Sequence, residues 1–351
     1  MASRVEGIAL FRVAGGATIG FGHVMRVLSL ARALGVAPRL SVRGSARARA
    51  IAASRGAVLD PCTRARDLAG AGVRLLVVDD PSARAAHAWV AAARRAGTPS
   101  VSLHDLGLAP VASDLAVDGS IARLRTVWPA QRVLAGEKYA VLDPEIARLR
   151  TRGLQGRGPR RVIVALGGGA TGLAGIAVGA ALKEVLPEVA VVVAPGFVVQ
   201  KERNGSVPAI APAAFRRELA RSTVAVVGGG VSLAEACALG AAAVGVAVVP
   251  SQVPTLRACA RRGIALDGGR LQGASNAAIA AVVRRVAGRV SRLLDDEPER
   301  QRLVRRAMQA IDARGAERVA RAIWRLAGRE SLRDRAAGRV RGRSVDGRTI
   351  A

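Results

Sequence analysis

Hydrophobic and polar positions along the chain alternate between two periods. From Gly7 to about Arg150, short runs of mostly apolar residues fall at Ile8 to Val13, Arg39 to Val42, Val73 to Val78 and Ser100 to Leu103. Between them lie longer segments with apolar residues three and four apart, such as Ala83 to Ala96. The short runs predict buried strands and the longer ones amphipathic helices, and their alternation predicts βαβ units around a parallel sheet. The stretch 151–160 is polar, broken by Gly and Pro, and without period, so it predicts a linker. The alternation then resumes, with strands expected at Arg161 to Leu166, Val189 to Ala194, Thr223 to Val227 and Ala243 to Val249. Helices are expected near Leu173 to Val185, Ala214 to Arg221 and Val231 to Leu239, and a helical region from about Ser291 to Ala327. The expected fold class is α/β, with two tandem Rossmann-like domains over 1–150 and 161–328 and a ligand cleft between them. The Arg/Gly-rich tail over 329–351 is expected to be disordered.

Composition narrows the partners. A chain of 351 residues can form two cores, and with aromatics at 2 % those cores must be aliphatic. The net charge of +28 comes almost wholly from arginines scattered through helical segments. With so few rings to stack on bases, nucleic acid is a poor partner, whereas an anionic small molecule such as a nucleoside diphosphate suits the charge. Cys62, Cys237 and Cys259 are far apart and odd in number, which points to a reducing compartment and away from structural zinc. His23, His87 and His104 show no metal-ligand spacing, so neither metal nor cofactor is expected. The N-terminus leads into no signal-peptide pattern, because Arg12 cuts the first apolar run. The longest nearly uncharged stretch, Thr223 to Pro250, is broken by Gly228-Gly229-Gly230 and Glu235, so it reads as strand, helix, strand and not as a membrane span. A cytoplasmic protein is expected.

Five stretches carry candidate chemistry. Ile19-Gly20-Phe21-Gly22-His23 joins the first strand to the first helix, which places His23 near a helix N-terminus at the carboxyl edge of a sheet. The helix dipole there disfavours imidazolium and predicts a neutral ring able to accept a proton, while Gly20 and Gly22 let a substrate approach. A tight turn with an idle histidine is the alternative. Asp79-Asp80-Pro81 and His104-Asp105 end later strands at the same edge, as ligand groups or as plain helix and turn caps. In the second half, Gly167-Gly168-Gly169-Ala170-Thr171-Gly172 has GxGxxG spacing, but no acid closes the next strand, so a nicotinamide cofactor is disfavoured. Bare amides at such a loop still suit a pyrophosphate. Gly228-Gly229-Gly230-Val231-Ser232-Leu233-Ala234-Glu235 repeats the design: Ser232 and Glu235 could hold phosphate and ribose, or form a capping box.

Phe11-Arg12, Ile19-Gly20-Phe21-Gly22-His23 with Arg26, Gly167-Gly168, Gly228 to Glu235, Gln252 and the late Asp312-Ala313-Arg314-Gly315-Ala316-Glu317-Arg318-Val319 resemble in order the UDP-sugar hydrolases of pseudaminic acid biosynthesis and similar spore-coat polysaccharide biosynthesis proteins. The resemblance spans residues 8 to 325 and implies a B-type glycosyltransferase fold. It implies metal-independent release of UDP from a diacetamido-trideoxy sugar, with His23 as the base that activates water. It further implies nucleotide binding by Gly168, Gly169, Gly229, Gly230, Ser232 and Glu235, and substrate binding by Arg12, Gly20, Gly22, Asp79, Asp105 and Gln252. Ala14, Pro81, Ala170 and Ser251 depart from the family pattern, mostly on the sugar side. A glycosyltransferase using a UDP-sugar donor, or a non-catalytic nucleotide-sugar binding protein, is therefore the alternative expectation.

Overall fold

The computed structural model describes residues 9–16, 19–122, 126–152, 160–167, 172–194, 200–202, 205–207, 211–271 and 276–328. The first half is built on β1 (Ala9–Gly15), β2 (Arg39–Gly44), β3 (Val58–Leu59), β4 (Leu75–Asp79), β5 (Ser100–His104), β6 (Leu115–Asp118) and β7 (Arg132–Ala135). They form a 7-stranded parallel sheet in the order β3-β2-β1-β4-β5-β6-β7. Helices α1 (Gly22–Leu34), α2 (Ala46–Ala53) and α3 (Ala83–Arg95) are the crossovers, and α4 (Pro144–Thr151) leads toward the second half. The second half contains β8 (Arg161–Ala165), β9 (Ala190–Val193), the antiparallel pair β10 (Gln200–Glu202) and β11 (Gly205–Val207), then β12 (Val224–Gly228), β13 (Ala242–Ala247) and β14 (Leu266–Arg270). Its main sheet is parallel, in the order β14-β13-β12-β8-β9. Its helices are α5 (Gly172–Val185), α6 (Pro212–Arg221), α7 (Val231–Leu239), α8 (Val253–Arg261), α9 (Asn276–Asp295), α10 (Glu297–Ala310) and α11 (Gly315–Leu326).

Every residue of β1 is buried, because both faces of the sheet are covered and a doubly covered strand must be apolar throughout. Its side chains alternate: Ala9, Phe11 and Val13 join the core under α1, while Leu10 joins the core under α3 with Leu76, Val78 and Trp89. The second sheet divides the same way, Ile163 and Ala165 on one face and Val162 and Val164 on the other. In each sheet the chain first builds outward one way and then resumes on the far side. The strand order therefore reverses between β1 and β4, and between β8 and β12. A parallel sheet opens a crevice at such a reversal, outside the carboxyl ends of its strands. The His23 turn follows β1, and the glycine run from Gly228 follows β12.

Core membership crosses the expected domain limits. Leu142, Ile146 and Leu149 on and before α4 pack in the second half, where the Arg150 guanidinium donates to the carbonyls of Ala238, Met308 and Ile311 at 2.8 to 3.1 Å. Conversely Ala316, Val319, Ala320 and Ile323 of α11, expected with the second half, join the core of α1 and β1. Arg32 of α1 pairs with Asp143, the cap of α4, and Arg216 of α6 reaches Asp143 at 3.5 Å and Glu145 at 2.5 Å. The expected linker 151–160 and the tail 329–351 fall mostly or wholly outside the described residues.

The return of α11 depends on close backbone contact, since a Cβ at Gly315 would run into the carbonyl of Ala140. Gly315→Ala is expected to lower unfolding stability by about 1–3 kcal/mol through overpacking. Gly288→Ala, in α9 with no neighbour within 4 Å, should raise it by up to ~1 kcal/mol through helix propensity. Chemical denaturation of the two variants checks both signs.

Candidate functional site

The first sheet places four chemically active side chains together. Gly20, in the left-handed region at φ +82°, closes a small loop by exchanging backbone hydrogen bonds with Gly16 at 2.7 and 3.1 Å. The chain then enters α1 at Gly22, with Phe21 as an N-cap that offers no side-chain cap. His23 and Arg26 stand three apart on this helix, so they share a face. Asp79, the last residue of β4, has the parity of Leu75 and Val77 and points to the α1 side of the sheet. His23 Nδ1 lies 2.7 Å from Asp79 Oδ1. Arg26 donates to both Asp79 oxygens at 2.8 and 2.7 Å, and to Asp105 at 2.5 and 3.1 Å. Neither Asp79 nor Asp105 caps a helix; Ser82 caps α3.

This arrangement fixes the tautomer. A carboxylate can only accept, so Nδ1 carries the proton and Nε2 keeps the lone pair. Arg26 Nη2, 3.2 Å from the same Nδ1, is then a neighbour and not a bonded partner. Burial would raise the Asp79 pKa, but Arg26 and His23 hold it well below the usual carboxylate range. Burial lowers the His23 pKa, yet the charge and hydrogen bond of Asp79 outweigh it and the net direction is upward from 6.5. The expectation of a ring kept neutral by the helix dipole is thus corrected: a carboxylate in direct contact outweighs partial charges at a helix end.

Arg12 is also corrected. It has the opposite parity to Phe11, so it points into the α3 side of the sheet, where it is buried. There it donates to Ser41 at 3.0 Å, lies over the Trp89 ring at 5.0 Å and is 3.9 Å from Asp80. Asp80 in turn holds Arg43 at 2.5 and 2.7 Å. Consecutive aspartates at the end of β4 therefore serve opposite faces of one sheet. His104 is turned inward as well, bonded to Ser102 at 2.7 Å and packed edge-on to Trp128.

At the second reversal, Gly228 and Gly229 end β12 buried and Gly230 is the N-cap of α7. Ser232 is thus the second residue of the helix, and the capping-box alternative for Ser232 and Glu235 is not what the structure forms. Gln252, expected to reach sugar or phosphate, spends its Oε1 accepting from the backbone N–H of Gly229 at 3.2 Å and Val248 at 2.9 Å. It latches the glycine turn, and a Cβ at Gly229 would press on it at 3.0 Å. Gly168 and Gly169 lie outside the described residues, as do Ala170 and Thr171. Glu235 is buried and has no hydrogen-bond partner among the described residues; burial, partly opposed by Arg216, pushes its carboxyl up to about 7. Of the departures, Ala14 is buried in β1, while Pro81 and Ser251 are exposed.

No protein-family model matches the chain, and no curated protein matches it. Solved structures do. MurG of Acinetobacter baumannii is similar at 14 % identity, over 91 % of this chain and 99 % of that one, with a TM-score of 0.56. The spinosyn forosaminyltransferase SpnP is similar at 15 % identity, over 92 % and 99 %, with a TM-score of 0.58. The spinosyn rhamnosyltransferase SpnG complexed with thymidine diphosphate is similar at 15 % identity, over 87 % and 96 %, with a TM-score of 0.59. The chain has the α/β fold with two Rossmann-like halves of the B-type glycosyltransferases. At these identities the likeness shows the fold alone.

Two titrations test the site. Because the folded pKa of His23 lies above 6.5, its ion pair with Asp79 stabilises the fold fully below pH 6.5 and is lost as pH rises through the folded value. In Asp79→Asn burial and Arg26 lower the His23 pKa against the weaker pull of Asp105, so His23 should titrate below 6.5, read from its Cε1–H resonance by NMR. Glu235 has the opposite sense: its unfolded pKa is 4.5 and its folded one about 7, so the fold loses stability as pH rises between them. Glu235→Gln should gain on the order of 3 kcal/mol at pH 8 and nothing at pH 4, measured by denaturation at both pH values.

Proposed function

We propose that the chain transfers a sugar from a pyrimidine nucleoside diphosphate, UDP first among them, to an acceptor hydroxyl. One observation carries this reading: His23 is held by Asp79 with Nε2 as its basic nitrogen, at the strand-order reversal of the first sheet. In the proposed step Nε2 takes the acceptor proton as the acceptor oxygen bonds to C1 of the sugar. The bond from C1 to the diphosphate oxygen breaks, and the nucleoside diphosphate leaves with the electron pair. Asp79 stabilises the imidazolium formed, and Arg26 keeps Asp79 ionised and aimed. The amide of Gly230 and the hydroxyl of Ser232 serve the diphosphate, with Gly168 and Gly169 assigned by resemblance, while the Gly229 amide, given to Gln252, holds the shape of the turn. Glu235 accepts from the ribose hydroxyls, whose donors offset the cost of its burial. Gly20 and Gly22 leave room for the sugar beside His23.

The transferases among the similar structures, one of them complexed with thymidine diphosphate, support transfer over hydrolysis. The second reading is a UDP-sugar hydrolase in which water takes the acceptor's place. The ordered set of motifs shared with the pseudaminic acid hydrolases favours it, while Ala14, Pro81 and Ser251 weigh against that particular sugar. Incubation with UDP- and TDP-sugars separates the readings: a transferase releases little nucleotide until acceptor is added, whereas a hydrolase needs none. His23→Ala is expected to lower kcat by about 10²–10⁴ while UDP still raises the melting temperature. Unchanged turnover in that variant would reject the assigned base.

A further inference from the structure

The outer edge of the first sheet carries a groove of about 270 Å³ between β7 and α11, lined by Arg132, Leu134, Tyr139, Arg318, Arg321, Ala322 and Arg325. Arg318, Arg321 and Arg325 lie at i, i+3 and i+7, one stripe of α11, because the opposite stripe (Ala316, Val319, Ala320, Ile323) is buried against the core. Arg132 enters from the edge strand. Arg318 is committed, to both oxygens of Asp312 and to the Lys138 carbonyl at 2.9 Å. Arg132, Arg321 and Arg325 form no ion pair with any described residue, and no acidic side chain lines the groove.

Arg132, Arg321 and Arg325 bring three positive charges without an ion-pair partner to one groove floored by Leu134 and Ala322, and an anion seated there is attracted by all three. Their planar forks match phosphate oxygens, and the Tyr139 hydroxyl can add a donor. The volume falls below the usual 300–1,000 Å³ of drug-sized ligand sites, which fits a mono- or diphosphate better than a whole nucleotide. We propose that this groove binds the phosphate group of an organic phosphate, as a second anion site separate from the glycine turns of the other sheet. The groove is also apart from the His23 turn of its own sheet: β7 stands four strand positions from β1, roughly 19 Å at the usual strand spacing. The assignment does not depend on the reading of His23.

The test uses the full chain with inorganic pyrophosphate as probe, read by hydrogen exchange and calorimetry. Pyrophosphate should slow exchange in peptides covering 132–139 and 315–326. In Arg321→Ala/Arg325→Ala that protection should vanish and the affinity of this site fall at least tenfold, at an unchanged melting temperature. Arg302→Ala/Arg305→Ala on α10 removes the same charge from exposed positions and should retain the protection. Vesicles of phosphatidylglycerol, against pure phosphatidylcholine, distinguish the source: capture by the anionic vesicles through the same arginines identifies a lipid head group, and protection by pyrophosphate alone identifies a soluble phosphate. The proposal is overturned if neither probe engages these segments, or if the α10 variant loses binding as much as the α11 one.

Discussion

The Asp79 carboxylate, shared between Arg26 and His23, is the interaction on which the first half's chemistry rests. A buried carboxylate is costly unless its charge is matched and its lone pairs are filled. Arg26 supplies both, and its second grip on Asp105 ties the ends of β4 and β5 to the first turn of α1. The strand-order reversal thereby becomes a rigid floor in place of an open seam. His23 inherits its tautomer and its orientation from that floor. Preorganisation of this kind lets a single imidazole act without first moving to its working position.

Much of the fold could be read from the chain because doubly covered parallel strands must be apolar along their whole length. β1, β4, β8, β12 and β13 were accordingly placed within a residue or two of their observed limits. β6, β7 and β14 carry no such signal: two have only four residues, and in Leu266-Asp267-Gly268-Gly269-Arg270 all but the first are glycine or charged. His23 was legible because a glycine-flanked turn between strand and helix announces itself locally. The sheet edge that Asp79 and Asp105 share with it is legible from the strand ends, and the i, i+3 spacing brings in Arg26. Their bonds to one another are not legible, because Asp79 and Asp105 lie 53 and 79 residues beyond Arg26. Arg12 was misread for want of a parity argument: counting from Phe11 and Val13 assigns it to the far face. Gln252 was singled out rightly as a polar side chain at the second reversal, but a sequence does not show that a side-chain oxygen is already taken by two backbone amides.

The two reversals are furnished in contrasting ways. In the first sheet the charges are satisfied within the protein, and the polar side chains constrain one another. In the second, small residues bring backbone amides forward, Gln252 braces them, and Glu235 is kept in surroundings that favour its neutral form. A site of the first kind suits moving a proton, while one of the second kind reaches its lowest energy only when outside donors complete it. This division matches the roles proposed for the halves, and it locates the cost of function in α7, where a carboxyl has replaced what packing alone would make apolar.

The exchange of α4 and α11 between the two cores has an evolutionary consequence. The first half is not a contiguous stretch of chain, since α11 returns to it after the whole of the second, so a recombination point between α4 and β8 would strand each helix in a molecule that lacks its seat. Moving the second half as a unit would require a transplant running from the start of α4 to the residue before Gly315, with the final helix left behind. Units bounded in that way pass between proteins as insertions, not as tails.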